Sequence, residues 1–174
     1  MLRVAFVGHS QLPSNIIIAG TEISIFRAPG GKAFSFFEDN RLCNVLNWRG
    51  DLVIVWLGSN DIVGNTNVSE VTDNILIIKE KIEEECGARV IIVLVEPRCY
   101  PNDHPVHQTQ YTKIQRGINR KLEKKLPQTH FIKFNLPKYQ QFLSFDGVHF
   151  TSEGRKEIEE VIVDNVKDYL ATSQ

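Results

Sequence analysis

Sulfur is scarce in this chain, with three cysteines (Cys43, Cys86 and Cys99) and one methionine. An odd number of thiols at these positions fits neither a disulfide framework nor a zinc site, and the reading is reduced thiols in an intracellular protein. An excess of charge is lacking too. Twenty basic against twenty-one acidic residues leave a net charge of -1, so no long-range field gathers nucleic acid or anionic membrane, and such a partner would need a local patch. No apolar run approaches the roughly 18 residues of a membrane span. The opening "MLRVAFVG" does not place a charged region, a long apolar core and a cleavage site in series, so a soluble, cytoplasmic protein is expected. Nucleic acid or membrane association would then enter through flanking domains of a longer protein.

Several ligand motifs are also absent. There is no Gly-x-x-x-x-Gly-Lys-Ser/Thr loop, no Gly-x-Gly-x-x-Gly after a strand and no His-Glu-x-x-His, which excludes nucleotide binding and metalloprotease chemistry by those routes. No cofactor and no metal is expected.

What the sequence does hold is a run of short apolar, β-branched segments: Arg3 to Val7, Glu22 to Phe26, Asp51 to Leu57, Arg89 to Val95 and His130 to Phe134. The third and fourth are apolar at nearly every position, as central strands covered on both faces require. Between the strands lie helical periods. Val71, Ile75, Ile78 and Ile82 share one face of Ser69 to Glu85; Tyr111, Ile114, Ile118 and Leu122 form a second stripe; Ile158, Val161, Ile162, Val166 and Tyr169 form a third. Ala33 to Leu46 is expected to be a further helix. This alternation predicts one domain over residues 1–174, an α/β three-layer sandwich whose flavodoxin-like sheet has five parallel strands in the order 2-1-3-4-5. In such a sheet ligands bind where strands one and three diverge.

Four predicted strand ends carry polar or glycine chemistry to that edge: Gly8-His9-Ser10, "APGGK" with Gly30 and Gly31, "LGSND" with Asn60 and Asp61, and "FDGVHFTSEG" with Asp146 and His149. Serine is a weak nucleophile at neutral pH and needs an imidazole base held by a carboxylate. His149 and Asp146, three residues apart before the last helix, can serve Ser10 in that way. The developing oxyanion needs donors, for which the N–H of Ser10, the N–H of Gly31 and the side-chain amide of Asn60 are the candidates. Each signal alone reads as a cap or a turn; their joint order is what points to chemistry.

These four blocks, Ser10 in "GHS", Gly31 in "PGGK", Asn60 in "GSND" and Asp146 with His149 in "DGVH", resemble those of the SGNH, or GDSL-type, hydrolases across nearly the whole chain. The resemblance implies a flavodoxin-like esterase with Ser10 as nucleophile, Gly31 and Asn60 completing the oxyanion hole, and the Asp-x-x-His pair finishing the triad. Compact esterase domains of retrotransposon-encoded proteins are similar in kind. Two departures stand out. His9 replaces the aspartate of Gly-Asp-Ser-Leu, and Gln11 separates Ser10 from Leu12. The expected substrate is a small ester of acetyl type, on a carbohydrate, lipid or other carrier.

A second class of function rests on the predicted helix from Gln108 to Leu126, where Lys113, Arg116, Arg120 and Lys124 fall at helical spacing and Lys121 and Lys125 widen the stripe. That is a candidate anion-binding face, and some SGNH-like domains resemble RNA-binding modules without catalysis. His9, His104 and His107 are read as solvated loop histidines and Cys99 as a buried, inert thiol.

Overall fold

The computed structural model describes residues 1–134 and 139–172. Five strands, β1 (Leu2–Gly8), β2 (Thr21–Arg27), β3 (Leu52–Trp56), β4 (Arg89–Val93) and β5 (Phe131–Ile132), form one parallel sheet in the order β2-β1-β3-β4-β5. Among the described residues four α-helices accompany it: α1 (Asn40–Cys43), α2 (Val68–Cys86), α3 (Gln108–Lys125) and α4 (Ser152–Thr172). The three-layer α/β sandwich of the expected strand order is therefore the fold.

The sheet is held between two cores because successive side chains of β1, β3 and β4 point to opposite faces. Ala5, Val7, Val53, Val55 and Ile92 pack with Ile75, Ile78 and Ile82 of α2 and Ile118 and Leu122 of α3. Val4, Phe6, Ile54, Trp56 and Val93 pack on the other face with Ile158, Ile162 and Val166 of α4. Helix α2 starts where Asn67 accepts the N–H groups of Ser69 and Glu70, and stops at Gly87, which is left-handed at φ 65°.

Two elements are shorter than the sequence led one to expect. Residues 33–46 hold only the single turn of α1 and a 3-10 turn at Asn44–Asn47. The Asp61 carboxylate captures the N–H groups of Ala33 and Phe34, and Asp39 caps the chain at Arg41, so the helix begins late. Strand β5 covers two of the five residues His130 to Phe134, because a 3-10 turn at Gln128–His130 follows Pro127 and takes up its start.

Register places the functional edge. Gly8 lies between Arg27 of β2 and Trp56 of β3, so the chain leaves all three strands at one level and its loops emerge side by side. No helix among the described residues is long and apolar enough to cross a membrane.

Candidate active site

Ser10 sits, half-buried, in the turn that leaves β1. Its Oγ lies 3.4 Å from Nε2 of His149, whose Nδ1 is 2.7 Å from Oδ2 of Asp146. The three side chains expected to act together are thus in line although 139 positions separate serine from histidine. The serine–histidine distance is long for a hydrogen bond and is of the kind that tightens when substrate is bound.

A small hairpin makes the Asp-x-x-His geometry. Leu143 and Phe150 form an antiparallel bridge, the Ser144 N–H donates to the His149 carbonyl at 2.7 Å, and the Gly147 N–H closes the tip on Ser144 at 3.0 Å. Gly147 is left-handed at φ 68°, and a Cβ there would lie 1.6 Å from the carbonyl oxygen of Cys99. Only glycine fits this corner. The hairpin is pinned to the loop after β4 by the Cys99 N–H, which donates to the Gly147 carbonyl at 2.9 Å, and to the serine turn by Gln11, whose Nε2 donates to the Val148 carbonyl.

Burial works against ionisation of Asp146, but its bonds to the His149 ring, to the N–H groups of His149 and Val148 and to the Ser144 hydroxyl hold its carboxyl well below the usual carboxylate range. A fixed anion on Nδ1 keeps the imidazole in the tautomer whose Nε2 can accept a proton from serine.

On the other side of Ser10, Ala28-Pro29-Gly30-Gly31 forms a tight turn with Gly30 left-handed at φ 74°. The Gly31 N–H donates to the Ala28 carbonyl at 2.7 Å and is committed while the turn is closed. This departs from its expected use as an oxyanion donor, and the reason is local, since a Pro-Gly turn of this kind uses the N–H of its fourth residue to close itself. Gly31 instead presents its carbonyl, which accepts Nδ2 of Asn60 at 3.1 Å. Asn60 stands in the 3-10 turn Ser59–Asp61 directly after β3.

Beneath these loops lies a buried polar cluster that the sequence reading missed. His9 is fully buried, contrary to its assignment as a solvated residue. Its Nδ1 accepts the Gln11 N–H at 3.2 Å, and its Nε2 lies 3.2 Å from the Ser59 hydroxyl and 3.4 Å from Glu96. Glu96 also accepts Nε1 of Trp56 at 2.9 Å. Arg98 extends Nη2 to Ser59 Oγ and Asn60 Oδ1, each at 2.9 Å, and Nη1 to the Tyr100 hydroxyl at 2.9 Å. Burial opposes the charge on Glu96, yet His9, Arg98 and Ser59 pull its pKa down to about 2. The available signal was "EPR" placed straight after an apolar central strand, where charge has no place unless it is paired.

The remaining candidates divide. His104 is half-buried and stacks on Tyr100 with ring centroids 3.7 Å apart, so it too is not simply solvated; His107 is exposed. Cys99 is exposed rather than buried, because its backbone, not its thiol, faces the hairpin. Lys113, Arg116, Arg120 and Lys124 are all exposed on one face of α3, whereas Lys121 and Lys125 turn to Ser69 and Asp73 of α2.

A family model described as GDSL-like lipase/acylhydrolase matches residues 18–162. The chain belongs to that family. As a GDSL-like acylhydrolase the protein is a carboxylic ester hydrolase. The matched span contains Gly31, Asn60, Asp146 and His149 and begins after Ser10, so the serine rests on the geometry just described. Among solved structures the fold is similar to a lipase/acylhydrolase from Enterococcus faecalis (TM-score 0.73, 17% identity, 97% of each chain) and to a carbohydrate esterase family 3 protein from Talaromyces cellulolyticus (TM-score 0.73, 15% identity, 99% of each chain). It is also similar to an acetyl esterase mutant with acetate ion (TM-score 0.71, 13% identity, 100% of each chain). No curated protein sequence matches.

Proposed function

We propose that this GDSL-like hydrolase cleaves small acetyl-type esters through an acyl-enzyme on Ser10. The observation that carries the reading is the unbroken line Ser10 Oγ, His149 Nε2, His149 Nδ1, Asp146 Oδ2, at 3.4 and 2.7 Å. Ser10 Oγ attacks the ester carbonyl carbon while its proton passes to His149 Nε2; Asp146 steadies the resulting imidazolium. The oxyanion is met by the Ser10 N–H and by the Nδ2 hydrogen of Asn60 that the Gly31 carbonyl leaves free. His149 then returns the proton to the departing alcohol, and water, deprotonated by the same imidazole, releases the acid.

The acetyl preference is supported by the open setting of the triad, with His149 exposed and Ser10 half-exposed, and one structural neighbour is itself named an acetyl esterase. Turnover of nitrophenyl acetate against a long-chain nitrophenyl ester tests it. Acetate should win, and a preference for the long chain overturns the acyl assignment. Ser10→Ala should abolish turnover while the thermal unfolding transition stays in place; surviving turnover overturns the nucleophile.

A second reading, an anion-binding module acting beside or in place of catalysis, is favoured by one feature. Lys113, Arg116 and Arg120 line a groove of about 870 Å³ between α3 and the loop at Gly64 to Thr66. Together with Lys124 they have no ion-pair partner among the described residues. Salt-dependent binding of a single-stranded RNA oligonucleotide that is lost when these four become glutamine would support it; affinity unchanged by the substitutions would end it.

A further inference from the structure

The family pattern has aspartate where this chain has His9, yet a buried carboxylate still lies under the serine turn, delivered from the end of β4 by Glu96. Its partner Arg98 reaches the other half of the site. Resting on the esterase reading above, we propose that Arg98 is a positioning residue for the oxyanion donor Asn60, and that Glu96 and His9 fix Arg98 and the serine turn in one buried unit.

Three observations carry this. First, Nη2 has two hydrogens and two acceptors, Ser59 Oγ and Asn60 Oδ1, both at 2.9 Å. Donation to Oδ1 determines which end of the Asn60 amide is oxygen, and so turns Nδ2, the proposed oxyanion donor, toward the Gly31 carbonyl. With the amide reversed, oxygen would face the Gly31 carbonyl and the developing oxyanion, replacing attraction by repulsion. Second, the guanidinium is itself immobilised, by the Tyr100 hydroxyl at 2.9 Å and by Glu96 Oε1 at 3.7 Å, with nine-tenths of the residue covered. Third, the same carboxylate is 3.4 Å from His9 Nε2, while His9 Nδ1 receives the Gln11 N–H, one residue past the nucleophile. A donor aimed at transition-state charge gains its effect from being oriented beforehand, and here one salt-bridged cluster touches both the serine turn and the asparagine turn.

The test is a double-mutant cycle on kcat and KM with nitrophenyl acetate, using Asn60→Ala, Arg98→Lys and the pair. Lysine retains a positive charge for Glu96 but cannot fork to Ser59, Asn60 and Tyr100 together. Loss of an oxyanion donor lowers kcat by about 100- to 1,000-fold, and that is expected of Asn60→Ala. Arg98→Lys should lower kcat by about 10-fold or more with KM little changed, and should cost less than about 3-fold further when Asn60 is already alanine, because residues acting through one another are not additive. Equal losses in both backgrounds overturn the proposal, since that is what general loosening would give. Arg98→Gln, read in the same two backgrounds where circular dichroism shows a folded protein, checks the result with a neutral side chain. If Asn60→Ala alone leaves kcat unchanged, it is the oxyanion assignment that fails, and the two failures are thereby told apart.

Discussion

Glu96 makes stability depend on a charge that no solvent reaches. Its carboxyl is pulled from an ordinary 4.5 down to about 2 against the cost of burial, by His9, Arg98 and Ser59. In the unfolded chain it takes up a proton near 4.5, and in the folded protein only near 2, so the unfolded state binds more protons between these values. The stabilisation is therefore complete above about pH 5 and is lost as pH falls toward 2. It amounts to about 3 kcal/mol at neutral pH, of which about 2 kcal/mol is gone at pH 3. Glu96→Gln keeps the size and an acceptor for Trp56 Nε1 but leaves Arg98 buried without its counter-charge, a change that typically costs about 3–5 kcal/mol. Urea unfolding followed by tryptophan fluorescence, from pH 7 to pH 3, measures both quantities. At pH 7 the parent should be the more stable by that amount, and the gap should narrow by about 2 kcal/mol at pH 3, because only the parent has this group to protonate. A gap that stays constant across the range would refute the reasoning, whatever its size.

Other consequences follow from the hairpin and the serine turn. Gly147→Ala must place a side chain at φ 68° and against the Cys99 carbonyl, so thermal melting should show a loss of at least about 2 kcal/mol; an unchanged transition would mean that the corner relaxes freely. Gln11→Ala removes the donor to the Val148 carbonyl, costs about 1–3 kcal/mol by urea unfolding and lowers kcat, and full activity in this variant would show that the serine and histidine turns align without it. Asp146 is held well below the usual carboxylate range by its bonds to the His149 ring and to the N–H groups of His149 and Val148, so carboxyl NMR should find it still ionised at about pH 4, where a free aspartate is half protonated; half-protonation there would contradict the hydrogen-bonded hairpin.

Much of this was legible in the chain because it depends on local pattern. Apolar runs in "DLVIVWLG" and "RVIIVLVE" gave central strands, and chain order with the right-handed crossover rule gave the sheet. Ser10 and Asn60 were legible for a similar reason, since each stands in the turn after a strand, β1 and β3, and these end side by side; Asp146 and His149 reach that edge through the hairpin that Gly147 corners and Gln11 pins. What escaped was set by tertiary hydrogen bonding. The helix over Ala33 to Leu46 yields to capture of two N–H groups by Asp61, 28 residues away. Gly31 commits its N–H to a turn whose type periodicity cannot reveal. His9 looked like a loop histidine because the partners that make its burial tolerable, Glu96 and Ser59, lie 87 and 50 residues away. The departures "H" and "Q" around Ser10, which weakened the family match on paper, are the two residues that tie the serine turn to the rest of the site.

The most direct measurement is covalent labelling with a serine-directed fluorophosphonate, mapped by tryptic digestion and mass spectrometry. The adduct should fall on Ser10, within residues 4–27, and should vanish in Ser10→Ala and in His149→Ala proteins that remain folded. An adduct on a different serine, or none at all from a protein that still turns over acetyl esters, would contradict the account.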